Sequence, residues 1–284
     1  MEFLNSVKEV VFLGPGGSYS EMAKDFFCKN YGLNVVETPF KTITQVIEYV
    51  DKNENILGVI PVENSIEGAV REAIDCLIKA KNLNLQYLAE YIMPIRHCLL
   101  SKCEDICDVS GLISHPQAIA QCLGFIHNKL PKNIDIVKAT STAKAAVLLN
   151  EYPSSYAAIG SSKTAELYNL NILEKNINDD PTNQTRFILI GKYPTSCSGN
   201  DKTSLAFSTE NKPGMLLETL KVFQNYNINL SYIDSRPSKI KFGEYTFLVD
   251  FDGHVSDEII SKAIDELKVK TSYFRIVGSY EKLS

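Results

Sequence analysis

Two side chains that could take part in chemistry, Thr185 and Arg186, stand together just before an apolar run. A threonine hydroxyl can donate a hydrogen bond to an oxygen, and an arginine guanidinium can bind a carboxylate through two parallel hydrogen bonds. Residues 176–182 have a loop composition and residues 187–190 predict a short buried strand. The pair therefore lies where a loop enters a strand, although both residues could equally be ordinary strand-edge residues.

The chain before this pair alternates between strand and helix patterns. Apolar runs lead into polar turns, and each turn leads into apolar residues at helical spacing; the runs are 9–13, 56–60, 112–113, 134–137 and 156–159. This alternation predicts an α/β protein with largely parallel sheets, in which ligands bind beyond the carboxyl ends of the strands. Residues 83–92 and 95–100 are interpreted as the crossing between two lobes, so that the first and last parts of residues 1–190 share a lobe.

Polar side chains follow several of these strands. Ser18, Asn64, Ser114 and Thr142 fall in the turns, and Gln121 lies one helical turn beyond Gln117. Each also has a structural explanation: Ser18 with Glu21 and Ser114 with Gln117 fit capping boxes, Asn64 fits a turn, and Thr140 or Thr142 fits a helix cap. A structural role is favoured over a general-base role for His115. Together, the turns predict a pocket for a small polar anion.

The composition narrows the class of protein. The chain has 284 residues, 44% of them hydrophobic and 22% charged, as in an ordinary soluble globular protein, and its net charge of −5 argues against nucleic acid as a partner. No apolar run is long enough to span a membrane, which predicts a cytoplasmic protein. The seven cysteines form no C-x-x-C pair and no histidine cluster accompanies them, so we expect neither a metal nor a cofactor.

A second domain is predicted after a linker rich in Pro, Gly and Ser. The predicted boundaries are 1–192 for the first domain, 193–201 for the linker and 202–284 for the second domain. The pattern from residue 203 onwards has the order βαββαβ, the ferredoxin-like split arrangement. The sequence predicts a short loop at Asp234-Ser235-Arg236-Pro237, which places a guanidinium beside a carboxylate and could bind a small zwitterion, or could be a solvated turn.

Six motifs taken together resemble the prephenate dehydratase family with a C-terminal ACT regulatory domain. They occur in the family's order across residues 8–190, and the ACT pattern covers residues 203–280. The motifs are Gly14-Pro15-Gly16-Gly17-Ser18-Tyr19-Ser20, Pro61-Val62-Glu63-Asn64-Ser65-Ile66-Glu67-Gly68, Ser114-His115-Pro116-Gln117-Ala118 with Gln121-Cys122, Ser141-Thr142-Ala143, Ala158-Ile159-Gly160-Ser161 and Thr185-Arg186-Phe187.

The resemblance implies a two-lobed catalytic domain similar to type II periplasmic binding proteins, with the active site in the cleft. It implies that prephenate loses CO2 and water to give phenylpyruvate for phenylalanine synthesis, and that phenylalanine is an effector. The family's essential threonine falls on Thr185, and its residues for substrate binding or catalysis fall on Asn64, Ser114, Gln121, Thr142 and Arg186, beside the Ser18 turn. The effector site falls on Pro213, Gly214, Met215, Leu216, Asp234, Ser235, Arg236 and Pro237. A homodimer or homotetramer is implied as well.

Two departures from the family pattern lie in the implied effector site. Asp234 replaces the usual glutamate, and Met215 replaces the usual alanine. Arogenate dehydratase, which carries out the same elimination on the aminated substrate, is the nearest alternative, and Glu67 favours prephenate over it. A non-catalytic amino-acid sensor is the alternative from another class, and the presence of Thr185-Arg186 weighs against it.

Overall fold

The computed structural model describes residues 2–79, 84–238 and 243–283, whose strands form one ten-stranded and one five-stranded sheet. The predicted α/β class, with two lobes followed by a βαββαβ domain, is confirmed. No helix in the three described ranges is long and apolar enough to cross a membrane.

The first lobe forms one end of the larger sheet. Its first part contains β1 (Glu9–Leu13), α1 (Tyr19–Tyr31), β2 (Val36–Phe40), α2 (Ile43–Lys52), β3 (Ile56–Asn64), β4 (Gly68–Ala69), α3 (Arg71–Lys79) and β5 (Gln86–Pro94). Strand β1 pairs in parallel with β2 and β3. The predicted crossing strand from residue 83 thus corresponds to β5, although Leu83 itself lies outside the described residues.

The second lobe contains the five-stranded sheet, in the order β10-β6-β9-β7-β8. Its elements are β6 (Cys98–Ser101), β7 (Gly111–Ser114), α4 (Pro116–Ala120), α5 (Leu123–Lys129), β8 (Asp135–Lys138), α6 (Thr142–Leu148), β9 (Tyr156–Gly160), α7 (Ser162–Tyr168) and β10 (Asn171–Lys175). The chain then returns to the first lobe as β11 (Gln184–Gly191), which lies antiparallel between β3 and β5. Both crossings between the lobes therefore meet beside β11.

Strand β11 begins earlier than the sequence predicts. Thr185 and Arg186 lie inside the strand, whereas the apolar pattern places its start at Phe187. Residues 187–190 are almost fully buried because helices cover both faces of this central part of the sheet. The two chemically interesting side chains are consequently fixed by strand geometry, and consecutive strand residues point to opposite faces.

The last six elements form the βαββαβ domain. They are β12 (Asp201–Ser208), α8 (Met215–Asn225), β13 (Leu230–Pro237), β14 (Tyr245–Asp252), α9 (Glu258–Lys270) and β15 (Tyr273–Leu283). One face of its sheet packs under α8 and α9, and parts of the other face join the core of the first lobe. Strand β15 also pairs in parallel with β5, with Gly278 opposite Tyr87 and Leu283 opposite Tyr91. The two domains therefore share a single sheet.

Candidate active site

Thr185 lies at the start of β11, next to both crossings between the lobes. Its side chain is directly opposite Asn64 in the β3–β11 ladder, and the Thr185 residue is 9% exposed. The Thr185 Oγ1 atom accepts a hydrogen bond of 2.9 Å from Asn64 Nδ2. Asn64, predicted in the turn after one strand, and Thr185, predicted where a loop enters another, are thus in direct contact.

The orientation of the Asn64 amide is determined by the backbone. Its Oδ1 atom accepts hydrogen bonds of 3.0 Å from the N–H groups of Ile66 and Glu67, so the NH2 group must face Thr185. Because the Thr185 oxygen already accepts from that NH2 group, the hydroxyl proton is available to donate elsewhere. The geometry therefore leaves the Thr185 hydroxyl proton free to donate to a further group.

Further amide hydrogen bonds connect Asn64 to the second lobe. Asn64 Nδ2 also donates to Asn183 Oδ1 (2.8 Å), and Asn183 Nδ2 donates to Gln121 Oε1 (3.0 Å). Asn183 is fully buried. Within the described residues, the Nε2 of Gln121 and the Nδ2 of Asn178 are buried donors with no hydrogen-bond partner. Neutral N–H donors held in this way can stabilise negative charge that develops on a bound substrate.

His97 continues this network into the first lobe. Its Nε2 lies 3.1 Å from Gln121 Oε1, and its Nδ1 lies 2.9 Å from the hydroxyl of Tyr19 in α1. Burial lowers the pKa of His97, with the Gln121 hydrogen bond opposing it, so the ring is neutral at neutral pH. Since Gln121 Oε1 can only accept, the proton of the neutral ring is on Nε2, and Nδ1 is an acceptor beside the Tyr19 hydroxyl, which also donates to Arg96 O at 2.9 Å.

His97, Tyr19, Asn178 and Asn183 are site residues that the sequence prediction missed. Asn183 stands two residues before Thr185, and Tyr19 belongs to the glycine-turn motif, so their neighbourhood offered a signal. His97 and Asn178 lie in the two crossings between the lobes, and Asn178 Oδ1 accepts from the His97 backbone N–H at 2.6 Å. Only the folded chain brings these two crossings together.

The glycine turn before α1 is tied to the second lobe. The carbonyl oxygen of Gly17 accepts hydrogen bonds from Ser161 Oγ (2.9 Å) and Thr164 Oγ1 (2.6 Å) at the start of α7. An ion pair between Lys163 and Asp25 lies beside them. These contacts hold the two lobes together along one rim of the cleft.

Ser18 has a capping role at this rim. Its hydroxyl donates to Leu13 O (3.2 Å) and accepts from the backbone N–H of Glu21 (3.3 Å), as a helix N-cap does. Glu21 reaches back to the N–H of Gly17 rather than to that of Ser18, which makes the motif a variant of the predicted capping box. The Ser18 side chain is therefore engaged in holding the turn.

Two of the predicted substrate-binding residues lie apart from the Thr185 network. Ser114 is fully buried at the end of β7 and donates to Ile159 O (3.1 Å). Thr142 is the first residue of α6, whose N-cap is Ser141. The predicted capping roles were wrong in detail, because His115 rather than Ser114 caps α4, and Ser141 rather than Thr140 or Thr142 caps α6. The structure thus joins Thr185, Asn64 and Gln121, and leaves Ser114 and Thr142 outside.

Arg186 points away from Thr185, to the other face of the sheet. Its Nε donates to Glu90 Oε2 (2.7 Å), its Nη1 to Asp250 Oδ2 (2.6 Å) and its Nη2 to the Tyr280 hydroxyl (2.5 Å). Burial opposes the charge, but Tyr280, Asp250 and Glu90 hold the pKa of the guanidinium well above its usual value. The geometry therefore does not support the prediction that Arg186 binds a substrate carboxylate, since protein groups engage all three of its nitrogens.

A cavity of about 710 Å³ lies between the βαββαβ domain and α3 of the first lobe. Asp75, Lys212, Arg236, Pro237, Thr246 and Tyr273 are among its lining residues. Of the predicted effector residues, Arg236 and Pro237 line it, and Arg236 forms a 2.6 Å ion pair with Asp234. Pro213 to Leu216 follow Lys212 directly, and Gly214 adopts a positive φ of 86° at the start of α8. The cavity could accommodate a small zwitterion beside the Arg236–Asp234 pair.

No group of three His, Cys, Asp or Glu side chains in the described part of the chain is placed to hold a metal ion. The donors that the site offers are hydroxyl and amide groups. Such a set suits an elimination in which negative charge develops on a departing oxygen.

Two protein-family models match this chain. The prephenate dehydratase family model matches residues 10–195, and the ACT domain model matches residues 203–269. The prephenate dehydratase of Methanocaldococcus jannaschii is 38% identical over 286 residues, an alignment that covers 96% of this chain and 98% of that protein.

Solved structures resemble the whole chain as well. Prephenate dehydratase from Arthrobacter aurescens in complex with L-Phe superposes with a TM-score of 0.84 at 32% identity, covering 96% of this chain and 90% of that one. GqqA, described as a novel type of quorum-quenching acylase, superposes with a TM-score of 0.83 at 28% identity, covering 97% of this chain and 98% of that one.

Proposed function

Because the chain belongs to the prephenate dehydratase family, we propose that its cleft holds prephenate so that the Thr185 hydroxyl donates to the departing oxygen, and that L-phenylalanine bound to the ACT domain controls the reaction. As a member of this family, the protein is a carbon–oxygen lyase.

Prephenate supplies most of the driving force itself, since the ring becomes aromatic. The bond between C4 and its hydroxyl breaks, the ring carboxylate leaves as CO2, and its bonding electrons enter the ring. The departing oxygen gains negative charge and needs a proton to leave as water. A threonine hydroxyl has too high a pKa to be a strong acid, so Thr185 acts by hydrogen-bonding this oxygen as its charge develops.

The observation that carries this role is the fixed direction of the Asn64–Thr185 hydrogen bond. Because Asn64 donates to the Thr185 oxygen, the threonine proton is free for the substrate. Gln121 Nε2 supplies a second buried donor, and closure of the lobes brings both beside the ligand.

The test is the substitution Thr185→Val, which removes the hydroxyl and keeps the side-chain shape. We expect phenylpyruvate formation from prephenate to fall on the order of 100-fold or more, the usual cost of losing one such donor. Thr182→Val, at an exposed threonine of the preceding loop, is the matched control. Turnover above about a tenth of wild type in Thr185→Val would contradict the donor role. A parallel assay with arogenate identifies the preferred substrate.

Regulation by phenylalanine is supported by the cavity at the ACT domain. It is lined by Arg236, which pairs with Asp234, and by the apolar groups of Ile78, Pro237 and Tyr273, a combination that suits the charged and aromatic parts of an amino acid. Asp75 and Ile78 of the first lobe also line it, so a ligand there contacts both domains. An effector that binds two states of the enzyme unequally shifts the balance between them, typically by about 1–3 kcal/mol.

We propose that the protein is a homodimer or homotetramer that pairs through its ACT domains. Strand β13 is the edge of the larger sheet on the ACT side, opposite the β2 edge, and its residues alternate between partly buried and exposed, with Ile233 half exposed. An exposed edge strand of this kind is a template for pairing with a second copy. Analytical ultracentrifugation tests this assembly, and a monomer at all concentrations would contradict it.

A further inference from the structure

The side chain that follows Thr185 is held by the other domain. Arg186 in β11 donates to Asp250 in β14 and to Tyr280 in β15, both of the ACT domain, as well as to Glu90 in β5. Asp250 and Tyr280 are almost fully buried, so water does not screen these contacts. The residue next to the proposed donor therefore depends on the ACT domain for two of its three hydrogen-bond partners.

The ACT side of this cluster is itself rigid. Ser204 in β12 lies 2.5 Å from Asp250 Oδ1 and 2.7 Å from the Tyr280 hydroxyl, so three ACT strands support the groups that face Arg186. Lys202 in β12 pairs with the second oxygen of Glu90 at 2.6 Å. Two cations thus alternate with two carboxylates across the domain junction.

On its β3 side, the ladder of β11 is interrupted next to Arg186, whereas the ladder to β5 runs without a shift from Gln184 to Leu189. The register of the β11–β3 pair shifts between Arg186 and Phe187, which lie opposite Glu63 and Pro61 respectively. Proline has no N–H to donate, and a β-bulge interrupts the ladder and bends the strand locally. The start of β11 beside β3 is therefore fixed by side-chain contacts as well as by the ladder: Asn64 on one face and the Arg186 cluster on the other.

We propose that Arg186 is a positioning residue, and that Asp250 and Tyr280 of the ACT domain hold it so that Thr185 keeps its hydroxyl directed into the cleft. The ACT domain thereby supports the active site directly, in addition to binding an effector. The inference rests on the proposed donor role of Thr185. It assigns Arg186 a function other than binding a substrate carboxylate.

The first test compares two substitutions on one strand. Asp250→Asn weakens the buried contact with Arg186, whereas Asp252→Asn makes the same change two residues along, where Asp252 is 58% exposed and pairs with Lys282. We expect Asp250→Asn to lower kcat by about tenfold or more, as a small misplacement of a reacting group does, with little change in KM. Asp252→Asn should match wild type. Equal kcat values for the two variants, measured where both are folded, would overturn the proposal.

Tyr280→Phe is the milder second variant, should Asp250→Asn fail to fold. It removes one hydroxyl that accepts from Arg186 Nη2 and keeps the ring. A positioning role predicts a lower kcat at unchanged KM. A purely structural role predicts a lower melting temperature, while kcat measured at temperatures where the variant is folded equals that of the wild type. That result would overturn the proposal.

Arg186→Lys separates positioning from substrate binding. Lysine keeps the charge but cannot reach three partners in the planar geometry of a guanidinium. We expect kcat to fall and KM to change little, whereas a raised KM with unchanged kcat would mean that Arg186 binds substrate directly and would overturn the assignment.

A double substitution shows whether the cluster acts through Thr185. In a Thr185→Val background, Tyr280→Phe should cause no further loss of turnover, because the group that it positions is already absent. An equal further loss would overturn the proposal. If Thr185→Val alone stays active, the proposed donor role fails; if it is inactive while Tyr280→Phe equals wild type, only the positioning role fails.

Discussion

The side-chain amide of Asn64 determines the direction of the hydrogen bond to Thr185. Two backbone N–H groups orient its oxygen, and its NH2 group then lies within hydrogen-bond distance of Thr185 Oγ1, Asn183 Oδ1 and the Gln184 carbonyl oxygen. A threonine in the same place beside a carboxylate would instead donate to that carboxylate. The chemistry assigned to Thr185 is therefore a property of the pair.

Asn64→Asp tests this directly, because it changes the donor into an acceptor at almost constant shape. We expect the Thr185 hydroxyl to turn towards the new carboxylate and turnover to fall on the order of 100-fold, as for loss of the donor itself. Steady-state kinetics with prephenate provide the measurement, and Asn150→Asp at an exposed site is the control. Wild-type kcat in Asn64→Asp would contradict the assigned hydrogen-bond direction.

His97 predicts a pH dependence of stability. Burial lowers its pKa below the unfolded value near 6.5, so the unfolded chain binds more protons as the pH falls below that value. The free energy of unfolding should therefore fall with pH below about 6.5, by at most about 1.4 kcal/mol per pH unit from this one group.

Urea denaturation of the wild type, His97→Gln and His127→Gln between about pH 5 and 8 measures this dependence. His127 is exposed in α5, so its variant should keep the wild-type slope. His97→Gln should lose part of the acid slope. The same slope in all three proteins would show that His97 does not contribute it.

At the scale of elements, the alternation of strands and helices was predictable because each strand is a short apolar run ended by a polar turn. The direction of Arg186 was not predictable in this way. A strand buried on one face shows which residues point inward, but the central part of β11 is buried on both faces, so its apolar run contains no such signal. The pattern of this strand therefore could not show that Glu90, Asp250 and Tyr280 engage the Arg186 side chain.

Helix starts show a second limit of sequence reasoning. Ser114 and Gln117 have the spacing of a capping box, yet Ser114 ends a strand and its hydroxyl donates to β9. His115 caps α4 instead, and α4 ends at Ala120 with Gln121, a member of the network, as its C-cap. The Ser114–Gln117 spacing identified the turn correctly. The residue that caps α4 is His115, because β7 extends to Ser114.

The contact between α7 and the glycine turn predicts how the lobes affect substrate affinity. Thr164→Val removes one hydrogen bond to Gly17 O and leaves Ser161 as the cap of α7. Losing a neutral hydrogen bond worth about 1 kcal/mol should raise KM up to about fivefold with kcat little changed. Ser162→Ala, an exposed neighbour, is the control for these kinetics. A change in kcat without one in KM would contradict a role in lobe closure.

At the scale of the whole molecule, the cavity between the ACT domain and α3 predicts where phenylalanine acts. Arg236→Ala should weaken phenylalanine binding by about tenfold or more, the usual cost of losing a hydrogen bond to a charged group. Isothermal titration calorimetry measures this affinity, with Lys221→Ala on the exposed surface of α8 as control. An unchanged dissociation constant would place the effector elsewhere.

The joining of β15 to β5 could not be read from the sequence, because it pairs residues far apart in the chain, such as Gly278 with Tyr87, and neither strand pattern specifies its neighbour. It has a mechanical consequence. A domain that shares a ladder with its neighbour cannot rotate as an independent body without breaking that ladder. Only β5 separates β15 from the strand of Thr185, and a small rotation at that seam would reach the reacting group within two strand widths.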